Sequence, residues 1–193
     1  MKAKALAICL FCLGAAAFAE TRVDVTAVIS KDFMSSPSFN QAVSALGNDT
    51  TFGGIGWEVV MDHIGIGGQY LVDFHEDSPN GWWLDWNGQA AYASYHILGA
   101  SSFIDPFVDL GVGSAGRVFL GPEATGASRL AISVFPFASA GASLDLQGFR
   151  LGAKLSCSLG HTAIPATSIP DYPLGRFQVS VFAGWSIGAH SAR

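Results

Sequence analysis

From Phe149 to Leu159 the chain reads FRLGAKLSCSL, with an apolar residue at every second position. Phe149, Leu151, Ala153, Leu155, Cys157 and Leu159 fall on one face, and Arg150, Gly152, Lys154, Ser156 and Ser158 on the other. A period of two is the signature of a β-strand, whose side chains alternate between two faces. Residues 176–188 repeat it, setting Phe177, Val179, Val181, Ala183, Trp185 and Ile187 against Arg176, Gln178, Ser180, Phe182, Gly184 and Ser186. Six further segments alternate more weakly: 22–29, 54–62, 64–74, 83–96, 104–112 and 130–140. Within 83–96 the phase sets Leu84, Trp86, Ala90 and Tyr92 against Asp85, Asn87 and Gln89. Eight strands are therefore predicted.

The links between them alternate in length. Residues 62–63, 99–102 and 145–148 form short links; 31–51, 75–82, 113–129 and 160–174 form long ones. Pro37, Pro79, Pro122, Pro165, Pro170 and Pro173 all lie in the long links, as loops require. Pro106 and Pro136 fall inside predicted strands instead, where each removes a ladder donor. A bulge or a shifted boundary is expected at both.

Alternation alone does not separate a barrel with an apolar interior from one with an apolar exterior. Composition does. Half of the residues are hydrophobic and only 13% are charged, against about 25% in an ordinary soluble domain. The polar faces are filled by Gly, Ser, Ala, Asn and Gln with few charges per strand, which suits a cramped lumen better than a solvated surface. Large aromatics sit near strand ends on the apolar faces, at Trp57, Tyr70, Phe74, Trp86, Tyr92 and Trp185, in the manner of the interfacial girdles of membrane barrels. The prediction is an all-β fold: a single closed antiparallel eight-stranded transmembrane β-barrel with short periplasmic turns and longer extracellular loops. Its first partner is then the outer-membrane lipid bilayer.

The first residues fit an exported chain. Lys2 and Lys4 precede an apolar run from Ala5 to Leu13, and Ala17-Phe18-Ala19 supplies a small-x-small cleavage pattern. Residues 1–19 are read as a cleaved Sec-type signal peptide and 20–193 as the barrel domain. Cleavage removes Cys9 and Cys12, which leaves Cys157 alone and an internal disulfide impossible. It also leaves 8 basic and 15 acidic residues, a net charge of -7. With no Lys/Arg-rich stretch, nucleic acid is excluded as a partner.

The signal peptide, the eight strands, the alternating links and the Gly-rich stretch GGIGWEVVMDHIGIGGQYLVDF (residues 53–74) together resemble the OmpW-like small outer-membrane barrels, with a spirochaete as the suggested source. The resemblance implies residence in the cell outer membrane and a narrow, porin-like conduit for small, apolar molecules. One departure stands out. Chains of this kind end on an aromatic residue read by the assembly machinery, whereas here the polar tail His190-Ser191-Ala192-Arg193 follows Trp185.

The same alternation assigns the lumen. Arg22, Asp24, Glu58, Asp73, Asp85, Asp109, Arg150, Lys154 and Arg176 point inward as a charge network, and buried charges demand partners. Leu71, Phe135, Phe137 and Phe182 suit an apolar constriction of the pathway. The alternative is a plugged structural barrel whose extracellular loops bind host or envelope partners. In the long link 31–51, SFNQAVSAL has the spacing of a short amphipathic helix with Phe39, Val43 and Leu46 on one side.

Motifs for other chemistry are weak. Ser94-x-His96 shares one face, which would point outward as in lipid-modifying outer-membrane enzymes, but no acidic partner is evident there. Gly111-x-Gly113-x-x-Gly116 matches a dinucleotide fingerprint by letter yet leads into no helix. His75-Glu76-Asp77 are adjacent and cannot all reach one metal ion, Asn48-Asp49-Thr50 is a glycosylation pattern of little meaning in such a membrane, and His63, His161 and His190 have no constellation. No catalytic residue, cofactor or metal is expected.

Overall fold

The structure, a computed structural model, describes residues 21–33, 51–77, 81–120, 130–160, 162–163 and 177–188. They form β1 (Thr21–Phe33), β2 (Phe52–Met61), β3 (Ile64–Asp77), β4 (Gly81–His96), β5 (Ile104–Leu120), β6 (Leu130–Leu146), β7 (Phe149–Ser158), the two-residue β8 (Thr162–Ala163) and β9 (Phe177–Gly188). The eight long strands pair in the order β5-β4-β3-β2-β1-β9-β7-β6, and β6 pairs back with β5. All pairings are antiparallel, and the closing seam of the first strand against the last runs from Arg22 opposite Gly188 to Phe33 opposite Phe177. The chain thus makes one closed barrel with no open edge at its waist. The expected signal peptide, the segment at 38–46, His161 and the tail from His190 lie outside the described residues.

The barrel is apolar outside and polar inside. Val25, Leu110, Trp185 and Ile187 are 52%, 65%, 68% and 69% exposed on the outer face. Arg22, Asp85, His96 and Ser180 are fully buried on the inner one. An outer face of this kind is stable against hydrocarbon and costly against water.

Several strands run beyond the bounds that their alternation predicts. Strands β5 and β6 extend beyond Val112 and Ala140. Arg117 holds the upper part of β5, because it sits opposite Asp85 on β4 and grips that carboxylate with two hydrogen bonds of 2.6 and 2.7 Å. The link at 145–148 shrinks to a two-residue hairpin turn, Gln147-Gly148, with φ of 60° and 93°. Gly111, Gly113 and Gly116 lie inside β5, and residues 75–77 lie at the end of β3, so neither motif forms a loop.

Neither proline introduces a bulge. In an antiparallel ladder the N–H and C=O of one residue face the same neighbour. The Pro106 carbonyl accepts from Ile97 N at 2.9 Å, and Ile97 lies one residue past the last β4–β5 pair, His96 opposite Phe107. The Pro136 carbonyl accepts from Leu159 N at 2.9 Å, again one residue past the last β6–β7 pair, Phe137 opposite Ser158. Each missing donor therefore faces the end of a neighbouring strand. On the opposite side, Pro106 and Pro136 pair with Ala142 and Val112 in unbroken register.

The bulge is in β4. Between Gly88 and Tyr92 this strand has one residue more than either neighbour: Gln69 and Gly67 oppose Gln89 and Tyr92, while Ser114 and Val112 oppose Gly88 and Ala91. An extra residue reverses which face each later side chain takes. Asp85, Asn87 and Gln89 point inward before it; Tyr92, Ser94 and His96 point inward after it.

Candidate functional site

The lumen is built in tiers from the inward positions of all eight long strands. At the end nearest Thr21, Arg22 donates from Nε to Asp24 at 3.1 Å, from Nη2 to Asp105 at 2.8 Å and from Nη1 to the Ala100 carbonyl at 2.5 Å. Arg150 reaches the same oxygens, Oδ2 of Asp24 and Oδ2 of Asp105, and also Ser143 Oγ at 2.6 Å. Two arginines and two aspartates, all at most 2% exposed, thus form a closed ring of alternating charge. Ser186 Oγ donates to the other oxygen of Asp24.

His96 joins this ring to Glu58. Its Nδ1 lies 2.8 Å from Asp105 Oδ2, and its Nε2 lies 3.3 Å from Glu58 Oε1. Ser94 Oγ donates to the same Glu58 oxygen at 2.5 Å. Above, Lys154 donates to Gln89 Oε1 at 2.6 Å, lies 3.7 Å from Asp109 Oδ2, and stands 4.9 Å over the Tyr92 ring. Nearer the far end, Asp32 accepts from Asn87 at 2.6 Å and from Gln178 at 3.0 Å.

Apolar side chains fill the rest. Val28, Phe52, Leu71, Phe107 and Phe182 form one buried cluster, and Tyr92, Ala115, Phe135 and Phe137 another. Between the ring and these clusters lies a cavity of ≈ 30 Å³, lined by Glu58, Gln69, Arg150 and Lys154 among others. At roughly 10–15 Å³ of occupied volume each, that admits about two water molecules.

Of the charged residues assigned to the lumen, Arg22, Asp24, Glu58, Asp85, Asp109, Arg150 and Lys154 line it, and Asp73 sits on the inward face of β3 opposite Asp85. Arg176 lies outside the described residues. Leu71, Phe135, Phe137 and Phe182 are all buried inside. Among the proposed girdle residues, Trp57, Tyr70 and Trp185 are exposed on the outer face, and Trp57 and Trp185 flank Val25 at one level. Trp86 is outward and half-buried, while the Phe74 side chain is not among those described. Tyr92 is a correction. The β4 bulge turns it inward, where it is 9% exposed against Phe137.

The bulge also overturns the expected outward placement of Ser94 and His96. Both face the lumen, where acidic partners abound. Ser94 Oγ, His96 and Asp105 stand in the order of a hydrolytic triad, with steps of 3.1 and 2.8 Å. In contrast to a free nucleophile, the Ser94 hydroxyl is engaged by Glu58 and the residue is 4% exposed. Among the described residues, no group of three His, Cys, Asp or Glu side chains is disposed to hold a metal ion.

Asp105, His96, Gln89, Asp32 and Arg117 were missed by sequence reasoning as members of the network. A signal was present for His96: the polar positions of β4 change from odd at Asp85, Asn87 and Gln89 to even at Ser94 and His96.

No family model matches the chain, and no curated protein matches it. Solved structures do. The N-terminal β-barrel domain of Pseudomonas aeruginosa OprF aligns with a TM-score of 0.52 at 13% identity, covering 86% of this chain and 97% of that one. Ail, the attachment invasion locus protein of Yersinia pestis, in complex with the heparin analogue sucrose octasulfate, aligns with a TM-score of 0.50 at 12% identity, covering 87% and 97%. At such identities the likeness establishes the fold, that of the small eight-stranded outer-membrane barrels. The OmpW-like grouping and the spirochaetal source rest on the sequence resemblance alone.

Proposed function

We propose that the chain is an integral outer-membrane protein whose barrel is a sealed, charge-locked anchor and whose extracellular loops carry its interactions with host or envelope partners. The observation that carries this reading is the ring of Arg22, Asp24, Asp105 and Arg150, which spans the lumen from β1 to β5 and β7. A solute would have to part four buried ion pairs, each costly to break singly. A narrow channel for small apolar molecules would also need a gap among Leu71, Phe135, Phe137 and Phe182, and these pack into closed clusters. The engagement of Ser94 argues in the same way against a lipid-modifying enzyme.

Export by residues 1–19 and an apolar outer face fit this location. Ail was crystallised with a heparin analogue, but a net charge of -7 on the mature chain favours neutral or basic partners over polyanions here. The test is planar-bilayer conductance of the refolded mature chain, paired with solute uptake into proteoliposomes. Silence in both is the expected result. Reproducible unitary steps would overturn the sealed barrel and restore the channel.

A further inference from the structure

The turns at the barrel end nearest Thr21 and Gly188 differ in kind. Asp62-His63 and Gln147-Gly148 are short and polar. The third, residues 97–103 between β4 and β5, reads ILGASSF and carries no charge. Ile97, Leu98 and Phe103 are 50%, 57% and 43% exposed, and they continue the outer apolar face through Tyr95 and Ile104.

Much of the backbone of this turn is hydrogen-bonded within the turn and to the barrel. Ile97 N donates to Pro106 O, Gly99 N to His96 O, Ala100 N to Asp62 O and Ser102 N to Gly99 O, at 2.8–3.3 Å. Three carbonyls accept from side chains or from another turn: Leu98 O from Ser102 Oγ at 2.5 Å, Ala100 O from Arg22, and Phe103 O from Asp145 N at 2.9 Å. Backbone groups paired inside the protein are easier to bring against hydrocarbon than groups left to water, so this pairing suits a turn at the edge of a bilayer.

We propose that the β4–β5 turn is a lipid-embedded foot, with Ile97, Leu98 and Phe103 seated among the phospholipid acyl chains of the leaflet at this end while the two polar turns stay in water. The inference rests on the outer-membrane reading above and adds a contact to it. Acyl chains are the occupant because the surface is continuous with the apolar outer face and offers no charge to a protein partner.

The mature chain has Cys157 as its single cysteine, which makes site-directed spin labelling straightforward. In a Cys157→Ser background, Leu98→Cys and Leu110→Cys are each nitroxide-labelled and refolded into phosphatidylcholine vesicles. Collision rates with molecular oxygen and with a water-soluble nickel chelate are then measured. Both labels are expected to meet oxygen severalfold more readily than nickel. A Leu98 label that favours nickel, or is shielded from both, while the Leu110 label favours oxygen would overturn the foot and leave the barrel reading intact. Nickel preference at both sites would overturn the membrane barrel itself.

Discussion

Arg22, near the start of β1, and Arg150, near the start of β7, hold the same two carboxylates: each guanidinium contacts both Asp24 and Asp105. Guanidinium suits this role because its planar fork offers several donors in fixed directions. The ring ties β1, β5 and β7 together across the lumen, so it constrains the barrel in a way that ladder hydrogen bonds between neighbours do not.

Removing one member should cost more than the pair is worth, since it strands charge in a lumen with room for only a few waters. Arg150→Met is expected to destabilise the barrel by about 3–5 kcal/mol. Arg150→Lys should recover only part of that, because an ammonium cannot fork between two carboxylates. Urea unfolding of the vesicle-inserted protein measures both. A loss for Arg150→Met below about 1 kcal/mol, the range of an exposed ion pair, would mean the lumen is hydrated enough to screen the ring.

The β4 bulge makes a sharper prediction. Deleting Ala90 should give a regular strand with Ser94 and His96 still inside, since β3 and β5 have no counterpart of the extra residue. Inserting one alanine between Tyr92 and Ala93 should instead turn Ser94 and His96 outward and Tyr95 inward. The deletion variant is expected to keep the boiling-dependent mobility shift of a folded barrel on denaturing gels and the insertion variant to lose it. A normal shift in the insertion variant would show that the inward placement of His96 is dispensable.

How much of this was legible beforehand depends on the element. Phe149–Leu159 alternates without error, and β7 lies within it with Arg150 and Lys154 inside. Residues 83–96 mislead after Gln89 because Ala90 and Ala91 are small enough for either face, so hydrophobicity does not mark the extra residue. Tyr92 was therefore assigned to lipid. The ring was illegible for another reason. Its members come from three strands far apart in sequence, and alternation says which face a charge takes but not which height it reaches. Asp105 falls on the polar face of 104–112, yet nothing in the sequence matches it to Arg22 and Arg150.

A charge on the outer face tests the orientation of the whole barrel. Leu110, on β5, is 65% exposed. Leu110→Arg should cost about 2–4 kcal/mol in a bilayer if the site is near the midplane, and almost nothing if that face meets water. Equilibrium unfolding in vesicles separates the two cases.

Close approach of strands gives a test of the seam. A Cβ on Gly184 of β9 would press into the backbone of Val25 on β1, whereas one on Gly53 would meet nothing within 4 Å. Gly184→Ala should therefore destabilise by about 1–3 kcal/mol, as overpacking does, and Gly53→Ala should be near neutral. Equal effects in an unfolding series would show that the seam relaxes more readily than its geometry suggests.

Pro106 and Pro136 complete the specification of the fold. A slip of one residue between strands is punished at once, since it turns every inward charge to the outside. A slip of two preserves inside and outside, and alternation is blind to it. In the native register the carbonyls set against the two proline nitrogens belong to Ile97 and Leu159, just past the ends of β4 and β7. Sliding β4 further along β5, or β7 further along β6, would set a mid-strand carbonyl there instead, with no turn beside it to supply another donor. The two prolines thus mark where each neighbouring strand ends, a distinction the hydrophobic pattern cannot make.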